Sequence, residues 1–242
     1  MTTLTRDAFL GGRLTLWQPR AGFRAGSDAV LLAAAIGARA GHSVLDLGCG
    51  VGAAMYCLEC RVPGLVLTGV EAHGPTAELA RRNGQAEVVE GDVLDLPADL
   101  RQRQWTHVIA NPPYFPAGAG SPAGQAAREA GLREGAPGDL SRWAEVACRR
   151  VAPKGSVTLI ARADRLSDLL APMDKALGGI AILPISSGPD RPAGRVIVQG
   201  RKGARAALRL LPPLVLHADG ASGAYRPEAE AVLRNMQSLA LG

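Results

Sequence analysis

The chain has 242 residues, 47% hydrophobic and 20% charged, which supplies a buried core and argues against a disordered chain. The formal net charge of +5 tolerates a polyanionic partner without specifying one. No apolar run reaches the roughly 18 residues of a membrane span, and Met1 to Thr5 lack the charged and apolar regions of a secretory signal, so a cytoplasmic protein is expected. The four cysteines, Cys49, Cys57, Cys60 and Cys148, are too few for a disulfide scaffold in a chain this long.

In chain order, residues 4–18 mix polar and apolar positions around a Gly11-Gly12 turn. Ser27 or Asp28 is placed to cap a helix running through Ala29 to Ala40, with Gly41 as its stop. Ser43 to Leu47 is a short apolar run ending at glycines, the pattern of a buried parallel strand. A helix over 51–61 follows, and Pro63-Gly64 breaks the chain. A second strand spans Leu65 to Val70 and ends at Glu71. Pro75 suits the first turn of a helix through Arg82, with Glu78 and Arg82 one turn apart and Asn83-Gly84 as terminator.

Glu87 to Glu90 and Trp105 to Ala110 are the third and fourth strands. The stretch from Phe115 to Gly138, rich in Gly, Ala and Pro, reads as a long loop of the kind that covers sites. Asp139 caps a helix whose apolar positions are Leu140, Trp143, Val146 and Val151. Ser156 to Ile160 is a fifth strand, followed by a helix from Asp164 that Pro172 disturbs. Ile180 to Ile185 and Arg195 to Gln199 are two more strands, Gly200 to Gly203 is a turn, and Ala206 to Leu211 can extend the sheet. Pro227 opens a last helix through Met236. Five strand–helix alternations predict an α/β fold, a doubly wound and mostly parallel sheet. The final strands lack an intervening helix, which predicts an antiparallel edge.

The first strand runs into Asp46-Leu47-Gly48-Cys49-Gly50-Val51-Gly52 and then a helix. Glycines there let a ligand approach the backbone at the carboxyl edge of the sheet. Glu71 is placed to accept two hydrogen bonds from a ribose diol. Asp92 can accept from an exocyclic adenine amine, and the N–H of Val93 can donate to a ring nitrogen. The spacing G-x-G-x-G fits S-adenosylmethionine better than a dinucleotide. Ala53, at the position of a dinucleotide loop's third glycine, keeps NAD open.

Asn111-Pro112-Pro113-Tyr114-Phe115 follows the fourth strand. Two prolines at a strand end donate no ladder hydrogen bonds and hold a stiff, extended corner. The Asn111 amide oxygen and the Pro112 carbonyl are then two acceptors for one planar NH2 group, which they orient and polarise. Tyr114 offers a flat face for stacking a base.

Together, VLDLGCGVG, the acidic Glu71, GDV at 91–93 and NPPYF at 111–115 resemble class I S-adenosylmethionine-dependent methyltransferases acting on amino nitrogens. The opening LGGRLTLWQPRAGFRAGSDAVLLAAA and the later GRVIVQGRKG are similar to bacterial valine-tRNA adenine-N6 methyltransferases. The resemblance implies a Rossmann-like methyltransferase sheet, an adenine N6 acceptor in tRNA, and S-adenosyl-L-methionine as donor. It assigns Asp46, Gly48, Gly50, Gly52, Glu71, Asp92 and Val93 to the donor. Asn111, Pro112 and Tyr114 go to catalysis, and Phe115 to the substrate. It further implies one methyltransferase domain: an extension over 1–42, a donor-binding catalytic core over 43–200 and a C-terminal extension over 201–242. The stretch Ala72-His73-Gly74-Pro75 departs from the family pattern.

Arg191 to Arg209 contains six basic residues and no acid. A turn over 200–203 would project Arg201 and Lys202 into solvent and, with Arg205, make a phosphate-tracking surface; a plain solvated hairpin is the alternative. Arg128, Arg133 and Arg142 could likewise flank an RNA-filled cleft, and 22–28 could close over the donor. Cys57-x-x-Cys60 lacks two further ligands for zinc and reads as small buried side chains, so no metal is expected. The scattered His42, His73, His107 and His217 suggest no nucleophile. A release-factor glutamine amide suits NPPY equally well, but only 42 residues precede the first strand of the core, too few for the helical domain such enzymes carry. An NAD-dependent oxidoreductase and a donor-binding protein without turnover remain as readings from other classes.

Overall fold

A computed structural model describes residues 3–21, 24–113, 136, 138–218 and 223–241. Among these, the central feature is a nine-stranded sheet. Its parallel body is built from β3 (Ser43–Leu47), β4 (Val66–Glu71), β5 (Glu87–Glu90), β6 (Trp105–Ala110) and β7 (Val151–Arg162). Their order across the sheet is β5-β4-β3-β6-β7, all parallel. Beyond β7 lies β9 (Ala193–Arg201), antiparallel to β7 and to its outer neighbour β8 (Gly178–Ser186). The antiparallel pairing sits toward the expected end of the sheet, with β9 two places in from the rim. The short β10 (Arg209–Leu210) and β11 (Leu214–Val215) then pair with β8 in parallel.

Helices cover both faces. One buried cluster joins α1 (Ser27–Ala34), α2 (Ala53–Arg61) and α3 (Gly74–Asn83) to Val44, Leu67 and Ile109. The last helix, α7 (Pro227–Asn235), adds Val232 and Leu233 to it. On the other face, α4 (Ala98–Gln102), α5 (Asp139–Arg150) and α6 (Leu166–Ala176) pack against Leu45, Leu47, Val108 and Leu159. Adjacent strand residues such as Val44 and Leu45 enter opposite clusters. This is why the strands read as continuous apolar runs rather than alternating ones.

Several elements differ from the sequence reading. Residues 4–18 form an antiparallel hairpin, β1 (Leu4–Phe9) and β2 (Leu14–Pro19), outside the main sheet. Helix α1 stops at Ala34 rather than running on to Ala40. Its late carbonyls are satisfied by distant groups: Arg61 donates to Ala33 O and Ile36 O, Gln199 to Ala35 O, and the Leu239 N–H to Ala34 O. Neither Ser27 nor Asp28 caps it; Gly26 holds the cap position and Asp28 pairs with Arg195 at 2.9 Å. Glu78 pairs with Arg81 rather than Arg82. Gly138, with φ of 84°, precedes α5, while Asp139 accepts from the Ala136 N–H and pairs with Arg142.

The β6 residue His107 is buried, with its ring 3.0 Å from His42 Nδ1 and 2.8 Å from Ser156 Oγ. Burial first, then the neighbouring His42 and Arg201, lowers its pKa from 6.5 to about 4. A depressed histidine disfavours the protonated folded form. Its contribution is therefore complete above pH 6.5 and is lost as pH falls from there toward 4. The loss should reach about 3 kcal/mol. Between pH 7.5 and 4.5 the urea midpoint of the wild type should fall relative to that of His107→Gln. Parallel pH profiles would refute this role for His107. Asp46, raised to about 8 mainly by burial, acts in the opposite sense but equally in both proteins.

Candidate active site

Four sequence motifs meet at one edge. Strand register aligns Leu47 with Val70 on one side and with Ala110 on the other, and Glu71 with Glu90. The glycine loop, Glu71, Asp92 and Asn111 therefore leave adjacent parallel strands at their carboxyl ends, where open α/β sheets bind ligands.

The three loop glycines do different jobs. All have positive φ: 66° at Gly48, 56° at Gly50 and 85° at Gly52. A Cβ on Gly48 would lie 2.5 Å from the Trp143 ring, and one on Gly52 would lie 2.3 Å from the Tyr56 ring. Those two positions thus accommodate the protein's own side chains. Gly84 presses on the other edge of Tyr56 at 2.2 Å by the same measure, so the ring is clamped between two glycines, with its hydroxyl donating to Ala80 O. Among the described residues, a Cβ on Gly50 would meet nothing within 4 Å, and of the three glycines Gly50 alone borders open space there. The sequence motif treated them alike because each glycine satisfies the same backbone demand.

The loop is tied down from several directions. The Cys49 N–H donates to Val70 O, and the Gly50 N–H donates to Glu71 Oε2 at 3.0 Å. Glu71 Oε1 also accepts from the His73 N–H at 2.9 Å, which fixes the carboxylate plane. The irregular 72–75 stretch resolves here: His73 is the cap and Pro75 stands in the first turn of α3. Behind the loop, Asp46 is buried, takes a hydrogen bond from the Met55 N–H, and keeps an unpartnered Oδ2. Its pKa is raised by burial and further by the Glu71 charge. Asp92 Oδ1 accepts from the Leu94 N–H at 2.8 Å, and the Val93 side chain is buried.

Sequence reasoning missed Asn83, which it took for a helix terminator. Its Oδ1 accepts from the Trp17 N–H at 2.8 Å, and its Nδ2 donates to Trp17 O and Val51 O, both at 3.0 Å. One side chain thereby joins the N-terminal hairpin to the glycine loop. No sequence motif signals this, since an Asn-Gly pair after a helix reads first as a stop.

Past β6, Pro112 is buried and Asn111 and Pro113 are half-buried. Tyr114 and Phe115 lie outside the described residues, as do Arg128, Arg133 and most of the expected loop. Residues 24–26 lead into α1 and Ser27 and Asp28 open it, while Gly22 and Phe23 lie outside the described residues.

The basic run does not form one surface. The register Val44–His107–Ser156–Arg201 places Arg201 at the amino edge of the sheet, opposite the glycine loop. The Arg205 backbone lies against Gly178, the first residue of β8 at that same edge. Lys202 does not project into solvent: its Nζ donates to Val151 O at 2.9 Å and Cys148 O at 3.3 Å, closing the end of α5. Arg195 pairs with Asp28, and Arg209 donates to Leu241 O. Cys57 is buried, and Cys60 Sγ lies 3.8 Å from Met236 Sδ.

The model of the Methyltransferase small domain family matches residues 23–127. Over 200 residues the chain is 26% identical to the tRNA1(Val) (adenine(37)-N6)-methyltransferase of Dickeya chrysanthemi, covering 79% of this chain and 78% of that protein. Over 194 residues it is 30% identical to the protein of the same name from Aeromonas hydrophila, covering 76% of this chain and 79% of that one. The chain belongs to the tRNA1(Val) (adenine(37)-N6)-methyltransferase family. Among solved structures, a predicted O-methyltransferase from Agrobacterium tumefaciens is similar at 26% identity with a TM-score of 0.69, over 87% of this chain and 97% of that one. The sheet is that of a class I methyltransferase, and S-adenosyl-L-methionine is the cofactor of this methyltransferase family.

The described site agrees with that cofactor on its charge. Burial, and to a smaller degree the Glu71 charge, oppose ionisation of Asp46 behind the loop. A cationic sulfonium and ammonium nearby would favour its ionisation, whereas a dinucleotide pyrophosphate would oppose it further. The Gly50 N–H that a pyrophosphate would need is already given to Glu71.

Proposed function

We propose that this chain transfers a methyl group from S-adenosyl-L-methionine to the N6 amine of an adenine in tRNA. The observation that carries the reading is the Leu47–Ala110 pairing, which sets the Asn111-Pro112 corner directly beside the glycine loop. Donor and acceptor sites on neighbouring strands let one methyl pass between them without a covalent enzyme intermediate.

Gly50 gives the donor its approach to the backbone. Glu71, oriented by two backbone N–H groups, takes the ribose hydroxyls. Asp92 and the Val93 N–H face the adenine, and Asp46, held protonated by burial behind the loop, ionises more readily once positive charge lies nearby. Gly48 and Gly52 act one step removed, by seating Trp143 and Tyr56 under the loop. The bound donor supplies an electrophilic methyl. Asn111 Oδ1 and the Pro112 carbonyl accept the two N–H bonds of the target amine and aim its lone pair. Tyr114 and Phe115 hold the base. The charged product amine sheds its extra proton to water, so no strong base is required.

Two acceptors on one corner suit an NH2 group with two protons and suit a hydroxyl with one less well. This favours nitrogen over oxygen as the acceptor. Incubation with methyl-labelled donor, tRNA and peptide release factor tests the acceptor class. Label is expected in the RNA, and label confined to the release factor would overturn the reading.

A further inference from the structure

We infer that the outward face of the N-terminal hairpin, where Arg6 and Arg82 flank the ring of Trp17, receives the phosphate backbone of the RNA; this rests on the tRNA reading above. The hairpin register pairs Arg6 with Trp17 and Asp7 with Leu16. Strand alternation puts Arg6 and Trp17 on one face and Asp7, Leu16 and Gln18 on the other. Leu16 and Gln18 are buried, so the Arg6–Trp17 face looks outward. Arg82, from the last turn of α3, lies over the same ring. The two guanidinium carbons are 5.8 and 4.3 Å from its centroid. Both arginines are exposed.

The charges around this platform are unbalanced. Among the described residues, neither Arg6 nor Arg82 makes an ion pair. Glu78, one turn before Arg82, is engaged by Arg81 at 3.1 Å. Asp7, next to Arg6 in sequence, points to the other face and is held by Gln18 at 2.7 Å and Arg24 at 2.5 Å. Two like charges therefore share one aromatic ring without a carboxylate between them. The ring holds both guanidinium planes in place by cation–π contact, with their N–H edges left for another partner. A planar fork of donors with fixed orientation is complementary to a phosphate.

Position supports the same partner. Through Asn83, the Trp17 backbone hangs from Val51 in the glycine loop. The platform thus flanks the donor loop, whereas Arg201 and Arg205 lie at the opposite edge of the sheet. An RNA whose adenine enters the Asn111 corner must lay neighbouring nucleotides across the protein near that loop. The hairpin offers them an unneutralised cationic strip.

The test is tRNA binding by the full chain as a function of salt. Arg6→Ala/Arg82→Ala should weaken tRNA binding and lower the slope of log affinity against log salt by about 0.7–0.9 for each lost contact. KM for tRNA should rise while kcat at saturating tRNA and donor affinity stay at wild-type values. The pair Arg6→Lys/Arg82→Lys should retain most of the slope, which separates charge from folding. Arg201→Ala/Arg205→Ala removes the same formal charge at the other edge and should leave the slope unchanged. Wild-type affinity and slope in the hairpin variant, or an equal loss in the Arg201/Arg205 variant, would overturn the inference while the methylation reading stands. A wild-type protein that neither binds nor methylates tRNA would overturn both.

Discussion

Asn111→Ala should lower the rate of methyl transfer to RNA by about 10²–10³-fold, the usual cost of removing one preorganised polar partner from a reacting group. The alanine leaves the backbone corner and the Pro112 carbonyl in place, so one of the two acceptors survives. The other N–H of the target amine then finds water, and the nitrogen lone pair is no longer held toward the donor. Donor affinity should stay near the wild-type value, because Gly50, Glu71 and Asp92 sit on other strand ends. The signature is a fall in kcat at unchanged donor Kd, read from single-turnover methylation beside a calorimetric titration. Near-normal turnover would remove Asn111 from the acceptor site.

Gly50→Leu and Glu71→Ala should each weaken S-adenosyl-L-methionine binding strongly, for different reasons. At Gly50 a new side chain starts in open space, so it clashes with no described neighbour and instead fills the approach to the loop. The positive φ of 56° adds backbone strain on the order of 1–2 kcal/mol, small against exclusion of the donor. Glu71→Ala removes the ribose acceptor, a charge-assisted bond worth roughly 1.5–3 kcal/mol, or about 10–100-fold in Kd. It also releases the Gly50 and His73 N–H groups that the carboxylate holds. Isotherms for both variants that overlay the wild type would place the donor elsewhere.

Trp105 to Ala110 was legible to the residue, because a short apolar run between polar turns has few other folds to join. The carboxyl-edge motifs were legible too, since glycines and acids at strand ends follow from local backbone geometry. What escaped depended on distant partners. Helix α1 stops early because Arg61, Gln199 and Leu239 meet its last carbonyls. Residues 4–18 hid a hairpin because alternation there is softened by Ala8 and by Gln18, a polar residue buried on the inner face. The basic run of 191–209 looked continuous in sequence, yet β9 crosses the sheet from one edge to the other. Its arginines are carried to opposite ends, and Lys202 is spent on helix α5. Arg82 left its expected partner Glu78 for Trp17, a choice made by a strand 65 residues earlier (82 − 17).

The central claim is that the methyl reaches the exocyclic amine of an adenine in RNA. The most direct measurement is nucleoside mass spectrometry of tRNA after incubation with the protein and isotope-labelled S-adenosyl-L-methionine. The account predicts labelled N6-methyladenosine with wild-type protein, and its near absence with Asn111→Ala. Labelled 2′-O-methyladenosine, or tRNA without label beside a protein that binds the donor, would contradict it.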